Sequence, residues 1–270
     1  MTLSGCNKYA KLLKKGTPEE KYSAAVKYYN KKDYVRATPL LEELLGNFKM
    51  KKEAADIYLM YAYCHFYQRE YTLAGYHFKN FVETYIYSPQ KEEAAFMFAS
   101  CEFNKCLPYN LDQSNTKVAL GKLQLFINQY PDSKYVEKCN VMMDQLRARL
   151  HKKAYETAML YYHIEDYKAA MVAMKVAIGD FPDIPWKDEM TFLTFKSAYW
   201  YAKKSVLSVQ LERYTVAEAS YKEYMDEFGR NGANVQEAEK YYKRLLSEKK
   251  QVELRIADEK TAALINNQNK

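Results

Sequence analysis

The sequence predicts an all-α fold, a superhelical solenoid of about five helical hairpins with a C-terminal helical extension. Three observations favour this fold. One pattern of small and large apolar residues recurs along the chain, no stretch alternates as a strand does, and only eight glycines and seven prolines are present to interrupt helices. One hairpin cannot bury its own apolar face, so recurring hairpins are expected to stack.

The recurring pattern is clearest in the hairpin predicted from about Tyr22 to Phe48. Ala25 and Ala37 stand twelve residues apart, and leucines follow Ala37 at the fourth and seventh positions. Antiparallel helices approach closely only where both carry small side chains, so the two alanines are predicted to mark the helix crossing. Two later copies share this spacing: Ala62, Tyr71, Ala74, Phe78 and Phe81 in one, and Ala158, Tyr167, Ala170, Met174 and Ala177 in the other.

Residues 1–16 are predicted to form a lipobox and an N-terminal tether. Leu3-Ser4-Gly5-Cys6 resembles a bacterial lipobox, whose cysteine becomes lipidated, and a lysine-rich segment leads from it to Gly16. The basic and apolar segments that precede a lipobox are missing, so either the chain is truncated upstream or its start was assigned too late. A chance match around an exposed thiol is the alternative. We expect lipid attachment at Cys6.

Residues 17–130 are predicted to hold repeats 1–3. Thr17 is the expected N-cap of the first repeat, with Pro18 at the first helical position. The second repeat is predicted to have helices at 51–69 and 70–85. In the third repeat Ala99 and Ala119 stand twenty residues apart, so eight additional residues form a loop near Pro108. Such a loop is either tolerated by a solenoid or used for contacts, and tolerance is favoured.

Residues 131–232 are predicted to hold repeats 4 and 5. After Ser133, an expected N-cap, the helical pattern runs unbroken from about residue 134 to 163. The last repeat is predicted to begin at Pro185, with a long helix to about Leu211 and a second helix around Ala217. Residues 233–270 are predicted to form a C-terminal charged helix, from 235 to about 262, and a frayed tail from 265.

Composition and motifs argue against several classes of protein. The net charge of +7 is modest, and scattered lysines without a basic stripe or RNA-binding aromatic signature do not favour nucleic acid. No apolar run is long enough to span a membrane as a helix. The four histidines lack metal-binding spacing, and no glycine-rich phosphate loop or hydrolase motif is present, so we expect no enzyme, cofactor or metal.

Four further cysteines stand in apolar helical pattern and are predicted to be small core residues: Cys64, Cys101, Cys106 and Cys139. A disulfide between Cys101 and Cys106 is disfavoured, because residues five apart point in different directions on a helix.

With Ala25, Tyr28, Ala37, Leu41 and Leu44, the hairpins resemble tetratricopeptide repeats (TPR). Five such units behind a lipobox, with a stretched third repeat, resemble the BamD family. The segment endings 129–133 and 180–183, each containing Pro-Asp, add to the resemblance, which covers about residues 6–230.

This resemblance implies a noncatalytic scaffold of the outer-membrane β-barrel assembly machinery, lipid-anchored on the periplasmic face of the outer membrane. It implies binding to the periplasmic domains of BamA through the C-terminal repeats and to unfolded outer-membrane β-barrel proteins through the N-terminal repeats. The alternative is another periplasmic TPR adaptor lipoprotein serving cell division or secretion. A third interpretation, a cytosolic adaptor, requires an unmodified Cys6.

In tetratricopeptide repeats the first helix of each hairpin lines the concave groove. In repeats 1 and 2 these positions are unusually aromatic, and aromatic rings suit the aromatic-ended targeting strands of barrel proteins. The alternative is that these tyrosines are ordinary core residues. The candidates for the substrate groove are Tyr22, Tyr29, Tyr63, Phe66 and Tyr67, accompanied by Val26, Asn30 and Leu59.

The fifth repeat is the candidate for the partner interface. Tyr199, Trp200 and Lys203 are proposed there because Trp and Tyr are enriched at interface hot spots. The alternative, that Trp200 is buried core, is the favoured one.

Overall fold

A computed structural model describes the backbone of residues 3–47 and 53–268, and it confirms the all-α prediction. Within these ranges the chain contains helices and a 3₁₀ turn but no strand. The turn is Gly229–Asn231, and the helices are α1 (Leu3–Lys15), α2 (Pro18–Asn30), α3 (Tyr34–Asn47), α4 (Ala54–Tyr67), α5 (Tyr71–Thr84), α6 (Lys91–Asn104), α7 (Ser114–Gln129), α8 (Val136–His163), α9 (Tyr167–Asp180), α10 (Lys187–Lys203), α11 (Leu207–Phe228) and α12 (Val235–Gln268).

The chain divides into two compact units, residues 1–147 and 148–270. The first unit holds the hairpins α2/α3, α4/α5 and α6/α7, and the second holds α9, the hairpin α10/α11 and α12. The sequence suggested a division at residue 131, before α8, whereas the division found lies inside α8. Early α8 residues such as Cys139 and Leu146 belong to the core of the first unit, and Ala158 belongs to the core of the second.

Each predicted alanine pair is buried. Ala25, Ala37, Ala62 and Ala74 have no exposed surface, and the later pairs are equally covered. The large residues that follow the second alanine of each pair fill the layer behind it: Leu41 and Leu44, Phe78 and Phe81, Leu123 and Phe126. The stretched third repeat obeys the same rule, since Ala99 and Ala119 are both buried although a loop separates their helices.

The turn inside three hairpins uses a left-handed residue that the sequence does not mark with glycine. Lys32, Arg69 and Glu165 have φ of 60°, 64° and 60°, and each precedes the second alanine of its repeat by five positions. The next residue donates its N–H to a carbonyl five positions back, as Asp33 does to Tyr28 at 2.9 Å. These bonds satisfy the last carbonyls of the first helix and offset the cost of the left-handed residue, about 1–2 kcal/mol.

Helix starts follow local side-chain chemistry. Thr17 is the N-cap of α2 as predicted, because its hydroxyl accepts from Glu20 N at 3.2 Å while Glu20 Oε2 accepts from Thr17 N at 2.9 Å. Ser133 precedes α8 by three residues and accepts from Tyr135 N at 3.1 Å, so α8 begins two residues later than predicted.

Two predicted helix ends were wrong. The helix expected to reach Leu211 ends at Lys203, where Gln210 Nε2 donates to the Lys203 carbonyl at 3.0 Å and a short turn leads into α11. The frayed tail expected from residue 265 is helical to Gln268. No glycine or proline follows Gly232 in the chain, so nothing local ends α12 earlier.

A histidine pair lies between α4 and α5. The rings of His65 and His77 stack with centroids 5.4 Å apart, and Tyr61 meets both edge-on. Glu70 Oε2 is 2.6 Å from His65 Nδ1, and the Tyr58 hydroxyl is 3.2 Å from His77 Nδ1. Burial, with a smaller contribution from His65, lowers the pKa of His77 to about 4.

We predict that the first unit loses stability as pH falls from about 6.5 towards 4. Unfolded His77 takes up a proton near pH 6.5, about its ordinary pKa, whereas folded His77 stays neutral until about pH 4, so protons favour the unfolded chain across this window. His77→Phe keeps a ring against His65 and should flatten the dependence of the unfolding midpoint on pH. The exposed His163, replaced by Gln, is the control and should retain the wild-type slope.

Candidate functional site

An aromatic surface runs from α2 to α4 in the first unit. Tyr29 meets Tyr34 edge-on at 5.7 Å, and Tyr34 stacks on Tyr67 at 4.6 Å. Tyr67 is also parallel to Tyr63 at 5.8 Å and meets Phe66 edge-on at 5.8 Å. We call these five residues the aromatic surface. It joins four of the predicted groove residues, Tyr29, Tyr63, Phe66 and Tyr67, into one contiguous set.

The rings differ in how far they reach solvent. Tyr67 is exposed, with 49% of its surface accessible, while the other four are half-buried. Tyr63 and Phe66 both rest on Phe78 of α5, with centroids 5.1 and 6.5 Å away. The inner rings are therefore anchored in the core, and Tyr67 is the ring most open to an incoming molecule.

Glu93 of α6 closes one side of this surface. The Tyr63 hydroxyl donates a hydrogen bond to Glu93 Oε1. Burial is the main cause that raises the pKa of Tyr63, and the hydrogen bond and charge of Glu93 add to it. Burial also raises the pKa of Tyr29, with smaller contributions from neighbours that include Tyr67. Both phenols are neutral at physiological pH; the Tyr29 hydroxyl can donate a hydrogen bond, whereas the Tyr63 hydroxyl donates its single proton to Glu93 and can accept one.

This arrangement offers apolar ring faces beside hydroxyl groups. A peptide in extended conformation presents side chains to such rings and carbonyl oxygens to such hydroxyls. The chemistry of the surface therefore suits peptide binding.

The other predicted groove residues lie differently. Tyr22 is half-buried against the core of the first repeat. Leu59 is only 6% exposed and belongs to the core. Val26 is half-buried and Asn30 is exposed.

Sequence reasoning missed two members of this site. Tyr34 is not among the predicted groove residues, but it is half-buried and stacks on the exposed Tyr67. Glu93 is likewise absent from the predicted set. The inclusion of Tyr34 could have been predicted from its place at the start of the second helix, beside the end of the first. The contact between Tyr63 and Glu93 spans thirty residues and has no sequence signal.

The predicted partner residues of the fifth repeat are covered to different degrees. Tyr199 is 1% exposed, so the structure places it in the core and not on a surface. Trp200 is half-buried between Tyr167, at 6.3 Å, and Tyr199, at 5.4 Å. Lys203 is exposed, but its ammonium group lies 2.6 Å from Glu248 of α12.

Glu248 satisfies the hydroxyl group of the buried Tyr199. Its Oε1 accepts from the Tyr199 hydroxyl at 2.9 Å, and its Oε2 accepts from the Tyr214 hydroxyl at 2.8 Å. Burial raises the pKa of Glu248, but hydrogen bonds from Lys203, Tyr214 and Tyr199 outweigh it and lower the pKa overall. One carboxylate thereby ties α12 to both helices of the last hairpin.

We predict that Glu248→Ala loosens α12 from the second unit. The change leaves two buried phenol hydroxyls without their acceptor, which costs about 2 kcal/mol or more. Hydrogen exchange should increase in residues 238–252, and the unfolding midpoint of the second unit should fall. Glu253→Ala removes an exposed carboxylate from the same helix and should change neither measurement; equal effects in both variants would contradict a role for this network.

Cys64, Cys101 and Cys139 are buried free thiols as predicted, whereas Cys106 is only half-buried. The Cys106 thiol donates to the Glu102 carbonyl at 3.3 Å. Burial raises the pKa of Cys64 and Cys101 to about 12 and of Cys139 to about 11, so these thiols stay protonated and unreactive.

The predicted lipidation site lies partly outside the described structure. The backbone of Cys6 is in α1, but its side chain is not among those described. In the described part of the chain, no three histidine, cysteine or acidic side chains are grouped to hold a metal ion. None of the helices described there has both the length and the apolar content for crossing a membrane.

Comparison with known proteins identifies the family. The profile of the YfiO family, outer membrane lipoproteins, matches residues 14–201. The outer membrane protein assembly factor BamD of Caulobacter vibrioides is 26% identical over 120 residues, which are 44% of this chain and 39% of that protein. The crystal structure of the P58(IPK) TPR domain is 15% identical with a TM-score of 0.40, covering 88% of this chain and 68% of that one. The family profile spans well over half of the chain, which therefore belongs to the YfiO family of outer membrane lipoproteins.

Proposed function

We propose that this protein is a noncatalytic, lipid-anchored scaffold in the assembly of outer-membrane β-barrel proteins. Family membership and the name of the Caulobacter relative support the assembly role. The matched segment is less than half the length of that relative, so the role is carried over as a proposal. The repeat architecture supports a scaffold, since stacked hairpins present long surfaces to partners.

The observation that carries the substrate side of this proposal is the aromatic surface. Unfolded barrel proteins would bind there through an extended strand that ends in an aromatic residue. Tyr67 offers an exposed ring face, and Tyr29 and Tyr63 supply neutral hydroxyls in the same contiguous set. A strand segment with alternating side chains can place one ring against Tyr67 while its backbone meets the hydroxyls.

The partner side of the proposal is binding to the periplasmic domains of BamA through the fifth repeat. Trp200 and Lys203 are the residues that retain solvent access there. Tyr199 would act only as support for Trp200, because its ring is buried beneath α12. Membrane attachment would come from lipidation of Cys6.

We predict that Tyr67→Ala weakens the binding of a peptide with a barrel-type, aromatic-ended C-terminal strand by about tenfold, the loss typical of an aromatic anchor. Because half of the ring is already in solvent, the unfolding midpoint should change little. Fluorescence anisotropy with a labelled peptide measures the first effect, and circular dichroism measures the second.

Tyr87→Ala is the matched control, since Tyr87 is 94% exposed in the same unit and does not belong to the aromatic surface. Tyr63→Phe adds a test of the hydroxyl, because it keeps the ring and removes the bond to Glu93. Unchanged peptide affinity in Tyr67→Ala, or an equal loss in Tyr87→Ala, would exclude the aromatic surface as the peptide site.

The assembly role itself is tested by co-purification. From detergent-solubilised envelope, the tagged chain should recover BamA, and Trp200→Ala together with Lys203→Glu should reduce the recovery at unchanged expression. If BamA is absent under mild conditions while division or secretion proteins are recovered, the chain is an adaptor of that other kind.

A further inference from the structure

The first helix carries a group of four lysines. α1 contains Lys8, Lys11, Lys14 and Lys15 and no acidic residue, and all four lysines are exposed. Elsewhere many lysines lie within 4 Å of a carboxylate, as Lys21 does with Glu43 and Lys249 with Glu218. None of the ion pairs in the described part of the chain involves a lysine of α1. Within the part of the chain that the structure describes, the positive charge of α1 is therefore not neutralised by an ion pair.

Three of these lysines share one face of the helix. Lys8, Lys11 and Lys15 are three and four positions apart, which places them along one side of α1. They border a cleft of about 320 Å³ at the junction with α2. We call this the lysine cleft, and its residues are Lys8, Lys11, Leu12, Lys15, Gly16 and Glu20.

The apolar side of α1, which borders the lysine face at Leu12, is held by the protein. Tyr9, Leu12 and Leu13 pack on the core of the first repeat, and the Tyr9 hydroxyl donates to the Arg36 carbonyl at 3.0 Å. The helix is thereby fixed with its lysine face outward. The one carboxylate that lines the cleft, Glu20, accepts a hydrogen bond from Thr17 N and completes the capping box of α2, so it already has a local role.

We propose that the lysine cleft binds the phosphates of anionic phospholipids at the membrane surface. Three ammonium groups along one helix face are better matched by a surface with repeated negative charges than by a single anion. The family of this chain consists of outer membrane lipoproteins, so a membrane is close at hand. Polybasic segments are a common second membrane signal beside a lipid chain.

The position of the lysines suits this role. Along α1, Lys8, Lys11 and Lys15 follow residue 6 by about 3, 8 and 14 Å, given the rise of an α-helix. At physiological ionic strength the field of a charged surface extends about 8 Å. An α1 that lies along the membrane brings all three into that field. The proposal goes beyond the scaffold function and does not depend on lipid attachment at Cys6.

The test uses the full chain with Cys6→Ser, so that no lipid contributes. Partition into phosphatidylethanolamine vesicles with phosphatidylglycerol is compared with partition into vesicles in which phosphatidylcholine replaces the anionic lipid. The chain should bind the anionic vesicles preferentially, and binding should weaken as salt shortens the range of the field. The triple variant K8Q/K11Q/K15Q should lose about a hundredfold in partition, at about fivefold per lysine.

The matched control is K240Q/K243Q/K250Q, which removes three exposed lysines from α12. Its net charge equals that of the K8Q/K11Q/K15Q variant. The control should retain at least most of the binding, and thermal unfolding of both variants should match the parent. Equal binding to both kinds of vesicle, or equal losses in both variants, would overturn the proposal. Displacement by inorganic phosphate at matched ionic strength would indicate a free-phosphate site and overturn the lipid assignment. The scaffold function is tested separately, by peptide binding and by BamA recovery, so a failure of the lipid proposal can be distinguished from a failure of that function.

Discussion

The close approach of two helices at a pair of alanines is the contact on which both units depend. Ala25 with Ala37, and each later pair, is buried because neither helix carries a larger group at the crossing. A larger side chain would force the backbones apart and open the layer that Leu41 and Leu44, or their equivalents, now fill. Between hairpins the same principle applies at Gly75, where an added Cβ would lie 3.3 Å from the Cβ of Cys101.

The aromatic surface is a consequence of this close packing. Because α2 and α4 are the first helices of successive hairpins, their inner faces present Tyr29, Tyr63 and Tyr67 to the same side. The left-handed turns at Lys32 and Arg69 reverse the chain tightly enough for Tyr34, at the start of α3, to stack on Tyr67. Core rings such as Phe78 hold the inner tyrosines in place, so the exposed ring stands on a rigid base.

The C-terminal helix changes the character of the last hairpin. In a repeat array the final unit has no successor to cover its apolar face, and a polar-faced cap is needed. Here α12 supplies it, with Ala238, Leu245 and Val252 in the core and Glu248 joined to both helices of the hairpin. The last hairpin is thus partly covered by the chain itself, and of the three residues predicted for an interface only Trp200 and Lys203 retain solvent access.

The sequence by itself determined the fold class, the hairpin positions and the burial of the alanine pairs, because these depend on spacing within about twenty residues of chain and on helical periodicity. It could not decide which tyrosines are core and which are surface: two groove candidates on α4, Tyr63 and Tyr67, differ in exposure, and Tyr199 is only 1% exposed. It could not predict that Tyr199 is buried, because the carboxylate that accepts a hydrogen bond from its hydroxyl lies forty-nine residues downstream. Nor did the scattered lysines reveal the lysine cleft, which exists only because the packing of Tyr9, Leu12 and Leu13 fixes the outward face of α1. Contacts between distant elements decided these features, and local sequence carries no record of them.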